Sequence, residues 1–125
     1  AAAEATPFVP VRTSADIDRE IAAASARGQA VMLDFYADWC VSCKVMERQV
    51  FREARVAARL GRLHLIQADI TANSASDREL LKRFTLFGPP AMLFFDASGK
   101  EIPGSRLVGE KNADEFLIHL NRHQL

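Results

Sequence analysis

A chain of 125 residues has the size of one domain and can bury roughly two-thirds of the surface its unfolded form exposes. Apolar residues make up 49% of it and charged residues 26%, an ordinary globular balance rather than a disordered one. Basic and acidic residues both number 16, so no charge excess draws the chain to nucleic acid or an anionic membrane surface. No apolar run approaches the roughly 20 residues of a membrane span.

The first segment, AAAEATPFVP, has neither a basic start nor a long apolar stretch, so it is not a signal peptide. Residues 1–7 read as the remnant of a linker and residues 8–125 as one domain. Phe8 to Val11 suits a short edge strand, because Pro7 and Pro10 confine it to the sheet margin. Thr13 or Ser14 can cap a helix running to about Arg27, with Asp16 and Asp18 in its first turn and Gly28 just past its end. Ile17, Ile21 and Ala24 supply its apolar face. Val31 to Tyr36 follows without polar alternation, broken only by Asp34, and reads as a central strand covered on both faces. Strand, helix and strand imply a parallel pair with a right-handed crossover.

A second helix is predicted from Cys40 to about Val50. It bends or restarts near Phe51, so that Arg52 to Leu60 forms a separate unit before Gly61. Leu63 to Ile70 is the next strand. Asn73 to Ser76 is a loop and cap region, and Asp77 to Phe84 a helix with Leu80, Leu81 and Phe84 facing inward. Ala91 to Phe95 is an apolar strand, Asp96 to Gly99 a turn, and Arg106 to Val108 can pair back as a hairpin. Asn112 or Asp114 opens a last helix carrying Phe116, Leu117 and Leu120. The order is βαβαβαββα.

Both cysteines fall in Trp39-Cys40-Val41-Ser42-Cys43, where the buried strand hands over to a helix. Unpaired backbone N–H groups and the positive end of the helix dipole favour a thiolate there. Three residues apart, the two sulfurs can close a small disulfide ring, which reads as a redox pair. A structural disulfide is the weaker reading, since so small a ring removes little unfolded-state entropy. A zinc site would need more ligands than His64, His119 and His123 offer. Two cysteines so close together do not by themselves fix the compartment.

Cys40 is the expected nucleophile and the more exposed sulfur, and Cys43 the more buried, resolving one. Asp34 lies six residues before Cys40. Burial should raise its pKa and fit it to accept or donate a proton near neutrality, as a base for Cys43; the alternatives are a hydrogen-bonded structural carboxylate or one at a solvent-reaching strand end. Glu47 follows Cys43 by four residues and Cys40 by seven, on one helical face, where its charge opposes thiolate formation. Its alternative is a surface helix residue paired with Lys44, itself a solvated position, or with another neighbour. Trp39 can shield the sulfurs and meet partners, or simply pack in the core. The three histidines read as structural or solvated.

The segment LDFYADWCVSCK resembles the active site of the thioredoxin superfamily. The stretches QADITANSASDRELLKRF, FGPPAMLFFDASGKE and RLVG extend the likeness over nearly the whole chain. It is most similar to the C-terminal thioredoxin-like domains of the DsbD family of bacterial membrane thiol:disulfide interchange proteins. The resemblance implies an α/β thioredoxin fold, a central mixed sheet with helices on both faces. It also implies a disulfide reductase with no cofactor beyond the Cys40–Cys43 pair. Electrons would come from the membrane domain of the same protein and pass to its N-terminal periplasmic domain by transient mixed disulfides. The domain would be periplasmic, itself soluble and monomeric, and tied to cytochrome c biogenesis. Asp34 and Glu47 match the family's acidic pair. Pro90 occupies the position of its cis-proline, beside which a partner segment can add as a strand. Pro89, before it, departs from the usual apolar residue, and Val41-Ser42 departs from the Gly-Pro of thioredoxin itself. A general thioredoxin, an oxidant with a very low Cys40 pKa, and an inert thioredoxin-like interaction module are the competing readings.

Overall fold

The computed structural model describes residues 5–125, so the first four residues of the linker expected at 1–7 lie outside the described part. The elements follow in the order β1 (Val9–Val11), α1 (Ser14–Ala26), β2 (Val31–Tyr36), α2 (Val41–Gln49), α3 (Ala54–Leu60), β3 (His64–Asp69), α4 (Ala75–Arg83), β4 (Ala91–Phe95), β5 (Leu107–Val108) and α5 (Ala113–Arg122). Among the described residues the strands form one mixed sheet in the order β1-β3-β2-β4-β5. β3 runs parallel to both β1 and β2, whereas β4 is antiparallel to β2 and to β5. The pair expected from β1 and β2 is therefore parallel but not adjacent. The long α2–α3 connection returns the chain into the gap, and β3 fills it.

Side-chain alternation divides the core into two layers. Leu33 and Phe35 of β2, Ile66 of β3 and Leu93 of β4 meet Ile17, Ile21 and Ala24 of α1 and Leu80 of α4 on one face. Met32 of β2, Leu65 of β3 and Met92 and Phe94 of β4 meet Met46, Val56, Leu60, Phe116 and Leu120 on the other. All of β2 and all of β4 are buried, which explains why neither shows polar alternation. Each large apolar side chain taken out of water contributes about 1.5–3 kcal/mol to the fold.

The helices start where short polar side chains can satisfy free N–H groups. Thr13 with Asp16, Ser74 with Asp77, and Asn112 with Glu115 each exchange side-chain and backbone hydrogen bonds as reciprocal caps. α4 consequently begins at Ala75, two residues before the expected start: Asp77 is the third helical residue and bonds back to Ser74. Gly28 ends the first helical segment at φ 68°, a conformation that glycine adopts without a Cβ penalty. The break between α2 and α3 falls where the sequence places it, with Glu53 capping the second piece.

Candidate functional site

β2 ends at Tyr36, whose carbonyl accepts a hydrogen bond from the Ile70 amide, and the chain turns through Ala37, Asp38 and Trp39 into α2. Thr71 pins this turn. Its hydroxyl accepts from the Asp38 amide at 2.8 Å, and its carbonyl accepts from the Trp39 indole N–H at 3.1 Å. Cys40 is the N-cap of α2; its Sγ accepts from the Cys43 amide at 3.2 Å, and the two residues are joined by a disulfide with their Cα atoms 5.2 Å apart. The sulfurs thus sit at the positive end of the helix, where negative charge on either is favoured.

In the disulfide form both cysteines are buried, Cys40 7% and Cys43 5% exposed. As cap, Cys40 accepts from the Cys43 amide while bonded to the Cys43 sulfur. The apolar residues on either side of it point outward instead. Trp39 is 58% exposed, which removes the core-packing reading of its ring, and Val41 is 78% exposed.

Beneath the disulfide is a narrow cleft bordered by Asp34, Tyr36, Cys43, Glu47, Gln67 and Pro90. Its volume, about 10 Å³, is close to that of a single water probe. Asp34 is buried, and its Oδ2 accepts from Gln67 Nε2 at 2.9 Å. Burial pushes its pKa up to about 7; the Gln67 hydrogen bond pulls the other way, and the charge of Glu47 adds to the rise. Glu47 is half-buried, with its side chain on this cleft. The alternative reading, a surface residue paired with Lys44, finds no ion pair here: Lys44 reaches to Asp38 at 3.7 Å and lies 5.2 Å from the centre of the Tyr36 ring.

On the far side, the Pro89–Pro90 peptide bond is cis. Pro90 borders the cleft, and its carbonyl accepts from the Gly109 amide at 3.0 Å, which ties the loop to the end of β5. Phe87, three residues before Pro90, is fully exposed, and Val108 is 60% exposed. The structure thus brings together Asp34, Cys43, Glu47 and Pro90 at one cleft, with Cys40 bonded to Cys43 above it. Trp39 stands on the surface next to Cys40, and Pro89 lies in the loop ahead of the cleft.

Sequence reasoning overlooked Gln67 and Phe87. Gln67 carried a signal, as a polar residue inside the apolar strand LHLIQAD, but its partner emerges only from the register that sets it opposite Asp34. Two of the three histidines have structural partners: His64 Nε2 lies 2.8 Å from Glu20 Oε1, and His119 Nε2 2.6 Å from the Ser105 carbonyl. Among the described residues no group of three or more His, Cys, Asp or Glu could hold a metal ion, and no helix is long and apolar enough to cross a membrane.

Residues 12–97 match the family described as thioredoxin-like. The chain is 56% identical over 115 residues to the thiol:disulfide interchange protein DsbD of Ralstonia nicotianae, and 47% identical over 112 residues to DsbD 2 of Pseudomonas aeruginosa. These alignments cover 92% and 90% of this chain but 19% of each relative, so the chain spans about a fifth of the curated relatives it matches. The C-terminal domain of Neisseria meningitidis DsbD superposes in its reduced form with a TM-score of 0.73, at 31% identity, covering 91% of this chain and 98% of that domain. Its oxidised form gives 0.69 at 33% identity, covering 86% and 90%. A thioredoxin from Fasciola hepatica, at 21% identity and a TM-score of 0.69 over 93% and 99% of the two chains, shares the fold. The mixed sheet, the disulfide at the start of α2 and these likenesses together show that the chain belongs to the thioredoxin-like family, among the C-terminal domains of DsbD.

Proposed function

We propose that residues 8–125 act as one thiol:disulfide exchange domain that delivers reducing equivalents, with residues 1–7 as its linker. The observation that carries this reading is the Cys40–Cys43 disulfide at a helix N-terminus, set directly over a buried carboxyl. In the reduced domain the Cys40 thiolate attacks a partner disulfide, forming a mixed disulfide and expelling one partner thiolate. Cys43 then gives its proton to Asp34 and attacks Cys40 Sγ. The Cys40–Cys43 bond forms, the bond to the partner breaks, and the partner leaves with both electrons as a dithiolate that takes up protons from solvent.

Asp34 suits the proton transfer because burial places its pKa at about 7, between its ordinary value and that of a thiol. Glu47, on the same cleft, opposes a second negative charge and so restrains premature ionisation of the pair. Trp39, Pro89 and Pro90 form the rim that an extended partner segment meets, Pro90 beside the cleft and Trp39 beside Cys40.

The similarity to DsbD, of which this chain spans about a fifth, supports a place in the periplasm. There the domain would take electrons from the membrane-embedded domain of its own protein and pass them to the N-terminal periplasmic domain. No cofactor beyond the cysteine pair is needed. Replacing Cys40 with Ser is expected to abolish exchange, whereas Cys43→Ser should leave a mixed disulfide that accumulates with the partner and is seen on a non-reducing gel. Exchange retained by Cys40→Ser would overturn the assignment.

A further inference from the structure

Gln67 stands between two spaces. On one side it borders the closed cleft with Asp34, Cys43 and Glu47. On the other it borders an open groove of about 560 Å³ along the β1 edge, where Pro10, Arg12, Asp69, Thr71 and Asp77 also lie. Pro10 and Asp34 are its neighbours in register on the strands to either side. Its half-buried side chain spends a donor inward, on Asp34 Oδ2 at 2.9 Å.

We propose that Gln67 is a positioning residue for thiol exchange, its amide fixing the Asp34 carboxyl in the cleft beside Cys43 through a single uncharged donor. The assignment rests on the exchange reading above. Its physical content lies in the strength of that donor. A hydrogen bond from a cation to a carboxylate is about twice as strong as one between neutral groups and would hold Asp34 ionised. An apolar residue would leave burial and the Glu47 charge unopposed and hold it protonated. The amide lies between these limits, so the carboxyl can both take and return a proton. The groups facing Asp34 include Tyr36 on its own strand and Cys43 and Glu47 on α2. Lys44 lies over the Tyr36 ring, and Arg12, Asp69 and Asp77 lie on the groove side of Gln67.

The test uses the whole chain in its disulfide form, in which the cysteines do not titrate. The Asp34 side-chain carboxyl carbon is followed by NMR against pH in the parent, Gln67→Met and Gln67→Lys. The midpoint is expected to rise by about one pH unit with Met and to fall by about one with Lys, a tenfold change in proton affinity each way. In the reduced protein, the pH at which exchange with a protein disulfide is half-maximal should move with it. Midpoints that stay put, or that move together in one direction, would overturn the proposal, as would exchange rates indifferent to them. If one variant does not fold, the sign of the other decides. A parent chain that exchanges no disulfide would sink the exchange reading, and this failure is distinguishable because the carboxyl titration is measured without it.

Discussion

Asp34 concentrates the residue-scale argument, because its folded pKa of about 7 stands well above the ordinary 3.8. Well below pH 3.8 the carboxyl is protonated in folded and unfolded chains alike. As pH rises from there towards 7 the unfolded chain ionises while the folded one does not, so stability is progressively lost; above 7 the loss levels off. Asp34→Asn removes this penalty. The variant is expected to be more stable than the parent by about 2–4 kcal/mol at pH 8, with the difference gone by about pH 3, as read from urea unfolding of the disulfide form. The same variant should exchange disulfides more slowly, because the proposed base for Cys43 is lost. A stability difference independent of pH would contradict the burial account. Asp34 was legible in the sequence because a carboxylate interrupting an apolar strand stands out. Its partner Gln67 was not, since a glutamine in a neighbouring strand acquires meaning only when the pairing register is known.

At the scale of elements, boundaries follow local hydrogen-bond chemistry. α4 starts two residues earlier than its sequence pattern suggests, because Asp77 is the carboxylate that bonds back to Ser74 rather than the first helical residue. Ser74→Ala should cost about 1 kcal/mol of stability through the lost cap, measured by the same unfolding experiment. The start of α2 is less ordinary, since its cap is a sulfur held in the disulfide. The turn before it is held by Thr71, which leaves the Trp39 ring on the surface beside Cys40. Trp39→Ala is therefore expected to leave reduction of the domain by a small dithiol nearly unchanged. It should slow exchange with a protein partner about tenfold, corresponding to the loss of an aromatic anchor. Equal slowing with both reagents would place the effect in the sulfur chemistry instead. The exposed Phe87 on the opposite side escaped notice because a lone aromatic in a loop gives no periodic signal.

For the molecule as a whole, the sequence conveyed the kinds of element and their order, since long apolar strands and capped amphipathic helices are local signals. Strand neighbours were less accessible. β3 lies between β1 and β2, and this insertion is what sets Gln67 beside Asp34 and brings the Thr71 loop against Trp39. The disulfide thus sits at the carboxyl ends of β2 and β3, over a cleft closed by Pro90 of the loop before β4. A pair placed this way, with Glu47 opposing further negative charge, should be a reductant. The direct test is the reduction potential of the Cys40–Cys43 pair, found by equilibrating the chain with a thiol redox buffer and trapping free thiols. The account predicts a value near or below about −200 mV, in the range of thioredoxins and glutaredoxins. A value nearer about −120 mV would mark an oxidant and contradict electron delivery by this domain.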